Sequence, residues 1–324
     1  MNRRLAATAA LSAVLVLVPA GSALADPPGP TEYRTEVVSI EPPVEALQIE
    51  VIGGDTFLQM TVATGTTVDV VGYQGEPFLR FLPDGIVEVN ENSPTTYLSD
   101  DRYGDVELPP NADPAAEPAW LQVSSDGSYS WHDHRSHWMN PDPPPGGARG
   151  EQILEAVVPI VVDGEAVAIT VISSWEQAAS PAPAIAGGVV AIALVALFRS
   201  RGTRAMGLVL GGIALLAAVV GLVAYFSVPT ETAPSVVPWA VAAVALLPLA
   251  TVLRFPAEQP PLSLVVISMV LAVWGVLRWD WMWSAILPTS LPIVDRFATG
   301  LVLMAGVGFT ALLVWKRLTN PTPT

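Results

Sequence analysis

Two hydrophobic patterns divide this chain. In its first half, short runs rich in Val, Ile, Thr and Tyr recur between turn signals, at residues 35–40, 46–52, 57–62, 67–73 and 85–89. Runs of that length and composition predict strands. Asp84-Gly85, Asp126-Gly127 and Asp163-Gly164 are turn dipeptides of the hairpin type. The clearest hairpin joins 153–162 to 166–172 around Asp163-Gly164. Pro159 in its first arm lacks an N–H and places that arm at a sheet edge or in a bulge. No stretch between the first 25 residues and residue 178 carries a helical period. Roughly seven to nine strands in a unit of this size predict an all-β sandwich, interrupted by two Pro-rich loops (108–118 and 141–150) and followed by a short tether at 177–183.

The second half reads differently. Long apolar runs at 181–198, 205–227, 234–253, 261–278 and 297–315 are separated by short charged loops, the pattern of a bundle of five transmembrane helices. Residues 1–25 have the layout of an export signal, with Arg3 and Arg4, an apolar run from Leu11 to Val18, and Ala23-Leu24-Ala25 before Asp26. The expected organisation is a signal peptide (1–25), an extracytoplasmic β-sandwich domain (26–178) and a five-helix membrane domain with a short cytoplasmic tail (179–324).

Composition sharpens this division. The chain is 51% apolar and 14% charged, and its mean hydropathy is +0.48, which excludes a disordered chain. It contains no cysteine, so disulfides, thiolate metal sites and a cysteine nucleophile are excluded. The net charge of -15 conceals an asymmetry: residues 26–182 hold 26 acids against five arginines, whereas residues 183–324 hold four acids and eight bases. An acidic half joined to an apolar, mildly basic half argues against nucleic acid and for a lipid bilayer as partner. With the acidic domain outside the cell, Arg199, Arg201, Arg204, Arg254, Lys316 and Arg317 fall on the cytoplasmic side, and Arg278 and Arg296 on the other. Trp279, Trp281 and Trp283 cluster where the fourth span meets the outer interface.

The spans themselves contain almost no ionisable group, so the bundle reads as an anchor rather than a transporter. Gly207 and Gly211 form a GxxxG spacing that suits helix packing within the bundle or a homodimer. Met269, Met282 and Met304 read as packing residues.

Chemistry is confined to one segment. All three histidines of the chain fall within Trp131-His132-Asp133-His134-Arg135-Ser136-His137-Trp138-Met139. On a strand His132 and His134 share a face, about 6.6 Å apart at Cα. His137 joins them if the strand ends or bulges near Arg135-Ser136, and Met139 adds a soft ligand. Imidazole suits copper, zinc and nickel, with Cu(II) the leading expectation and zinc the second. Asp133 falls on the opposite face with Arg135, where a mutual ion pair is expected.

The run Asp126-Gly127-Ser128-Tyr129-Ser130-Trp131-His132-Asp133-His134, with His137 after it, resembles the last-strand motif of cupredoxins and multicopper oxidases. The resemblance covers about 14 residues and implies a cupredoxin-like sandwich with His132 and His134 at copper-ligand positions, His137 and Met139 following more loosely. Asp133 stands where the blue-copper cysteine would be, and a second His-x-His motif is missing. Neither blue-copper electron transfer nor oxidase activity is therefore implied. Two other readings of the segment stand beside metal binding. One is a structural role in a non-enzymatic envelope or interaction protein, with Tyr129, Trp131 and Trp138 packing. The other is pH sensing, in which the acidic surroundings favour protonated histidine. Acid–base work by His132 or His134 with Asp133 lacks a nucleophile, so no enzyme is expected. Asp100, Asp101, Asp105 and Glu107 do not have the spacing of a calcium loop and read as a solvated face.

Overall fold

The computed structural model describes residues 27–247, 249 and 262–319. The expected signal peptide, the end of the third expected span and the last five residues lie outside them. Antiparallel β-sheets come first and helices follow. Among the described residues ten strands form two sheets. The larger has the order β1-β10-β9-β4-β5-β6-β7 and the smaller β2-β3-β8. Their bounds are β1 Tyr33–Glu41, β2 Leu47–Ile52, β3 Phe57–Val62, β4 Val68–Val71, β5 Pro77–Phe81, β6 Val87–Asn90, β7 Trp120–Ser124, β8 Ser128–His132, β9 Gln152–Val162 and β10 Glu165–Trp175.

Alternation explains both sheets. In β3 and β8, Leu58, Met60 and Trp131 are buried; in the larger sheet Val68, Val70, Leu79, Phe81, Val158, Ile160, Ile169 and Val171 are buried as well. All of these side chains belong to a single apolar cluster. Each large side chain removed from water contributes roughly 1.5–3 kcal/mol, so this cluster is the principal support of a domain without disulfides.

Three sequence expectations need correction. β9 is not an edge strand, because it lies between β10 and β4. Pro159 is tolerated there because the pairing of β4 stops at Val70↔Ile160, one residue short of the proline. The β9–β10 ladder shifts at Ser173/Ser174, away from Pro159. A short helix, α1 (Pro94–Leu98), also interrupts the expected all-β stretch. Ser93 caps it, with Thr95 N–H donating to Ser93 Oγ at 3.2 Å. The buried Glu76 carboxylate accepts from the hydroxyls of Ser93 (2.7 Å) and Thr95 (2.6 Å). This fixes the start of α1, and the loop after the helix reaches the histidine segment.

The helices are α2 (Ala182–Phe198), α3 (Thr203–Phe226), α4 (Val237–Val244), α5 (Leu262–Leu277) and α6 (Pro292–Thr319). Among the described residues two of them, α3 and α6, are long and apolar enough to cross a membrane, not the five expected. α2 has 17 residues, bounded by Pro181 and Arg199, and α5 has 16, giving way at Arg278 to a 3-10 turn, Trp279–Met282. α4 gives way to a turn at Ala245.

α6 starts earlier than its apolar run suggests. Pro292 opens it, so Asp295 lies in its first turn, where a negative charge meets the positive end of the helix dipole. Asp295 accepts from Arg278 at 2.5 Å, and both side chains are buried, at 1% and 2% exposure. The Arg278 guanidinium lies 3.5 Å from the Trp281 ring centroid. Arg296 Nη2 donates to the carbonyls of Ser284 (2.7 Å) and Ala285 (3.0 Å). These charges, expected in or beside a loop, knit the loop to the helix ends.

Glycines set the closest helix approaches. A Cβ on Gly187 of α2 would overlap the Phe297 carbonyl of α6, and one on Gly300 of α6 would overlap the Ala184 carbonyl of α2. Gly275 and Gly306 do the same between α5 and α6. Gly211 of the GxxxG pair faces the Leu249 side chain, inside this chain's own helices. The sheet unit meets the helix loops directly: Thr31 and Ile286 exchange backbone hydrogen bonds at 3.0 and 2.9 Å, and the Thr230–Thr232 turn lies against β8.

Candidate metal centre

β8 ends at His132, and the chain then turns instead of continuing as a strand. Ser136 closes the turn, its N–H (2.9 Å) and hydroxyl (2.7 Å) both donating to the Asp133 carbonyl. This turn, not strand alternation, brings the rings together. Ligand atoms of His132, His134 and His137 all lie within 4.8 Å of one another. Metal–imidazole bonds of about 2.0–2.1 Å would draw such atoms to roughly 3.5 Å apart, a modest inward adjustment. The His132 and His137 rings stack at 4.6 Å between centroids, and His134 stands edge-on to them at 5.6 and 5.7 Å.

Two of the rings are held from outside. Phe57, opposite His132 in the β3–β8 register, packs on it at 5.4 Å. Tyr73, just past β4, stacks on His134 at 5.2 Å and 15°. Its hydroxyl oxygen accepts the His134 backbone N–H at 2.9 Å and lies 3.1 Å from Ser99 Oγ. Thr35 of β1 donates to the Ser136 carbonyl at 2.6 Å, and Arg135 Nη1 donates to the Val71 carbonyl at 3.0 Å. The turn is therefore fastened to β1, to the end of β4 and to the loop after α1.

Hydrogen bonds assign the ring nitrogens. A carbonyl only accepts, so His134 Nε2–H donates to the Asp101 carbonyl (2.9 Å) and His137 Nδ1–H to the Trp138 carbonyl (3.1 Å). The lone pairs are then on His134 Nδ1 and His137 Nε2, an arrangement in which outer hydrogen bonds orient metal-binding imidazoles. His137 Nε2 and both nitrogens of His132 are buried without any hydrogen-bond partner. Unpartnered buried imidazole nitrogens are costly, and an ion would satisfy one on each of these rings.

Electrostatics keep the rings neutral. Burial pushes His132 down to about 2, with the neighbouring histidines and Arg102 adding to the effect. Burial also takes His137 down to about 3, reinforced by Arg102. His134 is lowered by burial, against the opposing effect of the Asp101 carbonyl and the Asp133 and Asp101 carboxylates. The expectation that acidic surroundings favour imidazolium is thus reversed, because local desolvation outweighs distant, screened surface charge.

Asp133 behaves as its sequence position suggested. Its carboxylate takes a two-point contact from Arg135, Nε to Oδ1 and Nη2 to Oδ2, both at 2.8 Å. Trp131 Nε1–H donates to it at 3.0 Å. Burial alone would raise its pKa, but Arg135 holds it below the usual carboxylate range. Trp131 is a core residue. Met139 lies at the surface, 36% exposed, whereas His132 and His137 are 1% exposed. Asp101 caps its own loop, its carboxylate accepting from the amides of Tyr103 (2.8 Å) and Asp105 (2.9 Å).

Phe57, Tyr73, the Asp101 carbonyl and Arg102 carried no sequence signal, being remote from the histidines, and Gly104 carried only a faint one. Gly104 has φ +71°, and a Cβ there would press on His134 Cε1. Its Leu-Ser-Asp-Asp-Arg-Tyr-Gly context is the one hint that a tight loop was needed.

Comparison with family models, with curated proteins and with solved structures finds no match for this chain. The histidine group fits the ligand arrangement suggested by the cupredoxin-like motif, and no relative identifies the family.

Proposed function

We propose that this is a membrane-anchored protein whose extracytoplasmic β-sandwich binds one transition-metal ion, copper in preference to zinc, through His132, His134 and His137. Its role is metal handling or sensing at the cell envelope, without catalysis. The observation that carries the reading is the meeting of three neutral imidazoles within 4.8 Å, two of them buried with unpartnered nitrogens. Imidazole-only sites suit copper and zinc, and copper is the stronger binder in the divalent series.

The anchor rests on the helix exteriors. Ile185, Val189 and Ile192 share one exposed face of α2, and Leu208, Leu215, Leu222 and Phe226 do so along α3. Apolar surface on that scale belongs in lipid, and the shorter apolar helices α2 and α5 are proposed to cross it beside α3 and α6. Two sheets sharing one apolar cluster support the sandwich.

The test is metal analysis of the full-length protein purified in detergent. We expect one copper per chain in the wild type and loss of copper in His132→Asn/His137→Asn. Asn keeps a polar side chain of moderate size, and an unchanged circular dichroism spectrum verifies folding. Equal uptake by wild type and variant would overturn the assignment.

A further inference from the structure

We propose that the three-histidine site takes copper as the monovalent ion, Cu(I), in preference to Cu(II) or Zn(II). This deepens the reading above and rests on it. The reason is charge balance. All three ligands are neutral, and among the described residues no carboxylate belongs to the group. The chain has no cysteine to supply a thiolate.

Buried carboxylates do exist nearby in the fold, but their charge is already used. Asp133 is neutralised by the two-point contact with Arg135. Asp55, fully buried in the turn between β2 and β3, is paired with Arg102 at 2.5 Å. Asp101, which also acts on His134, is turned to the surface with the amides of its own loop. Arg102 is in turn held by Asp55, so neither of these ion pairs leaves a net negative charge beside the rings.

An ion placed between these rings thus keeps its full charge in a dry interior. The self-energy of a buried ion rises with the square of its charge, so a dication costs about four times as much as a monocation there. Coordination points the same way. Cu(II) prefers a tetragonal set of donors, and Zn(II) a fourth ligand. Three imidazoles closing from one turn suit a trigonal ion with no need of either. The exposed thioether of Met139, two residues past His137, is a soft group of the kind that receives Cu(I) at a surface.

The experiment is competitive titration of the full-length protein in detergent. Cu(I) is presented anaerobically against bicinchoninate, Cu(II) against nitrilotriacetate, and Zn(II) against a zinc indicator. Cu(I) is expected to bind at least roughly tenfold more tightly than either dication. Arg102→Met leaves the Asp55 carboxylate unneutralised and should narrow the ratio of Cu(I) to Cu(II) affinity. Arg102→Met/Asp55→Asn removes both charges and should restore it. A wild-type site that holds Cu(II) or Zn(II) as tightly as Cu(I) overturns the proposal while leaving the three-histidine reading intact. A wild type that binds none of the ions more tightly than His132→Asn/His137→Asn overturns both. The wild-type comparison decides even if the Arg102 variants do not fold.

Discussion

At the scale of single residues, this protein buries two imidazoles and half-buries a third, and burial first, then Arg102 and the neighbouring rings, opposes protonation of His132 and His137. A depressed folded-state pKa has a definite consequence for stability. An unfolded chain binds protons at its histidines below about pH 6.5, whereas the folded chain resists doing so. The contribution is therefore complete above that pH and is lost as pH falls towards the folded values. Between pH 7 and 4.5 the metal-free protein should lose about 2.5 kcal/mol for each deeply buried ring, in addition to the loss from its carboxylates. Thermal midpoints measured in chelator should fall more steeply for wild type than for His132→Asn/His137→Asn. Equal slopes would show that these rings are not held neutral. The cluster itself was legible, because three histidines in six residues are hard to place apart. Its support was not: Tyr73 and the Asp101 carbonyl approach from far along the chain, and nothing in their local sequence marks them.

Elements show where local pattern is informative and where it fails. Strands with clean alternation, such as β3 and β10, were visible in the sequence. β5 was hidden by Gly75-Glu76-Pro77 at its start and β7 by the Pro-rich loop before it. The edge placement of Pro159 failed for a tertiary reason, since the partner strand stops just where an N–H donor would have been needed. Among the helices, glycine frequency is visible in the sequence but glycine function is not. Gly187 and Gly300 let α2 and α6 approach at backbone distance, whereas Gly212 has open space where a Cβ would go. Gly187→Ala should therefore cost about 1–3 kcal/mol through forced separation of the helices, and Gly212→Ala should be neutral or slightly stabilising. Thermal unfolding in detergent, followed by helical circular dichroism, measures both. A neutral Gly187→Ala would contradict the close packing.

For the molecule as a whole, composition separated an acidic β-rich half from an apolar helical half, and the structure joins them through Thr31–Ile286 and the contact of β8 with the Thr230–Thr232 turn. Such docking was beyond sequence reading, because it depends on loops with no periodicity of their own. The proposed orientation is open to direct test, since the chain has no native cysteine. In intact cells an impermeant maleimide should label Glu165→Cys, on the exposed β9–β10 turn, and should reach Arg201→Cys, between α2 and α3, only after lysis. The reverse pattern would invert the proposed topology.

X-ray absorption at the metal edge of the copper-loaded full-length protein shows whether His132, His134 and His137 close on a single ion. About three nitrogen neighbours near 2.0 Å are expected, with the outer-shell scattering of imidazole rings. A spectrum dominated by oxygen ligands without imidazole scattering would contradict it.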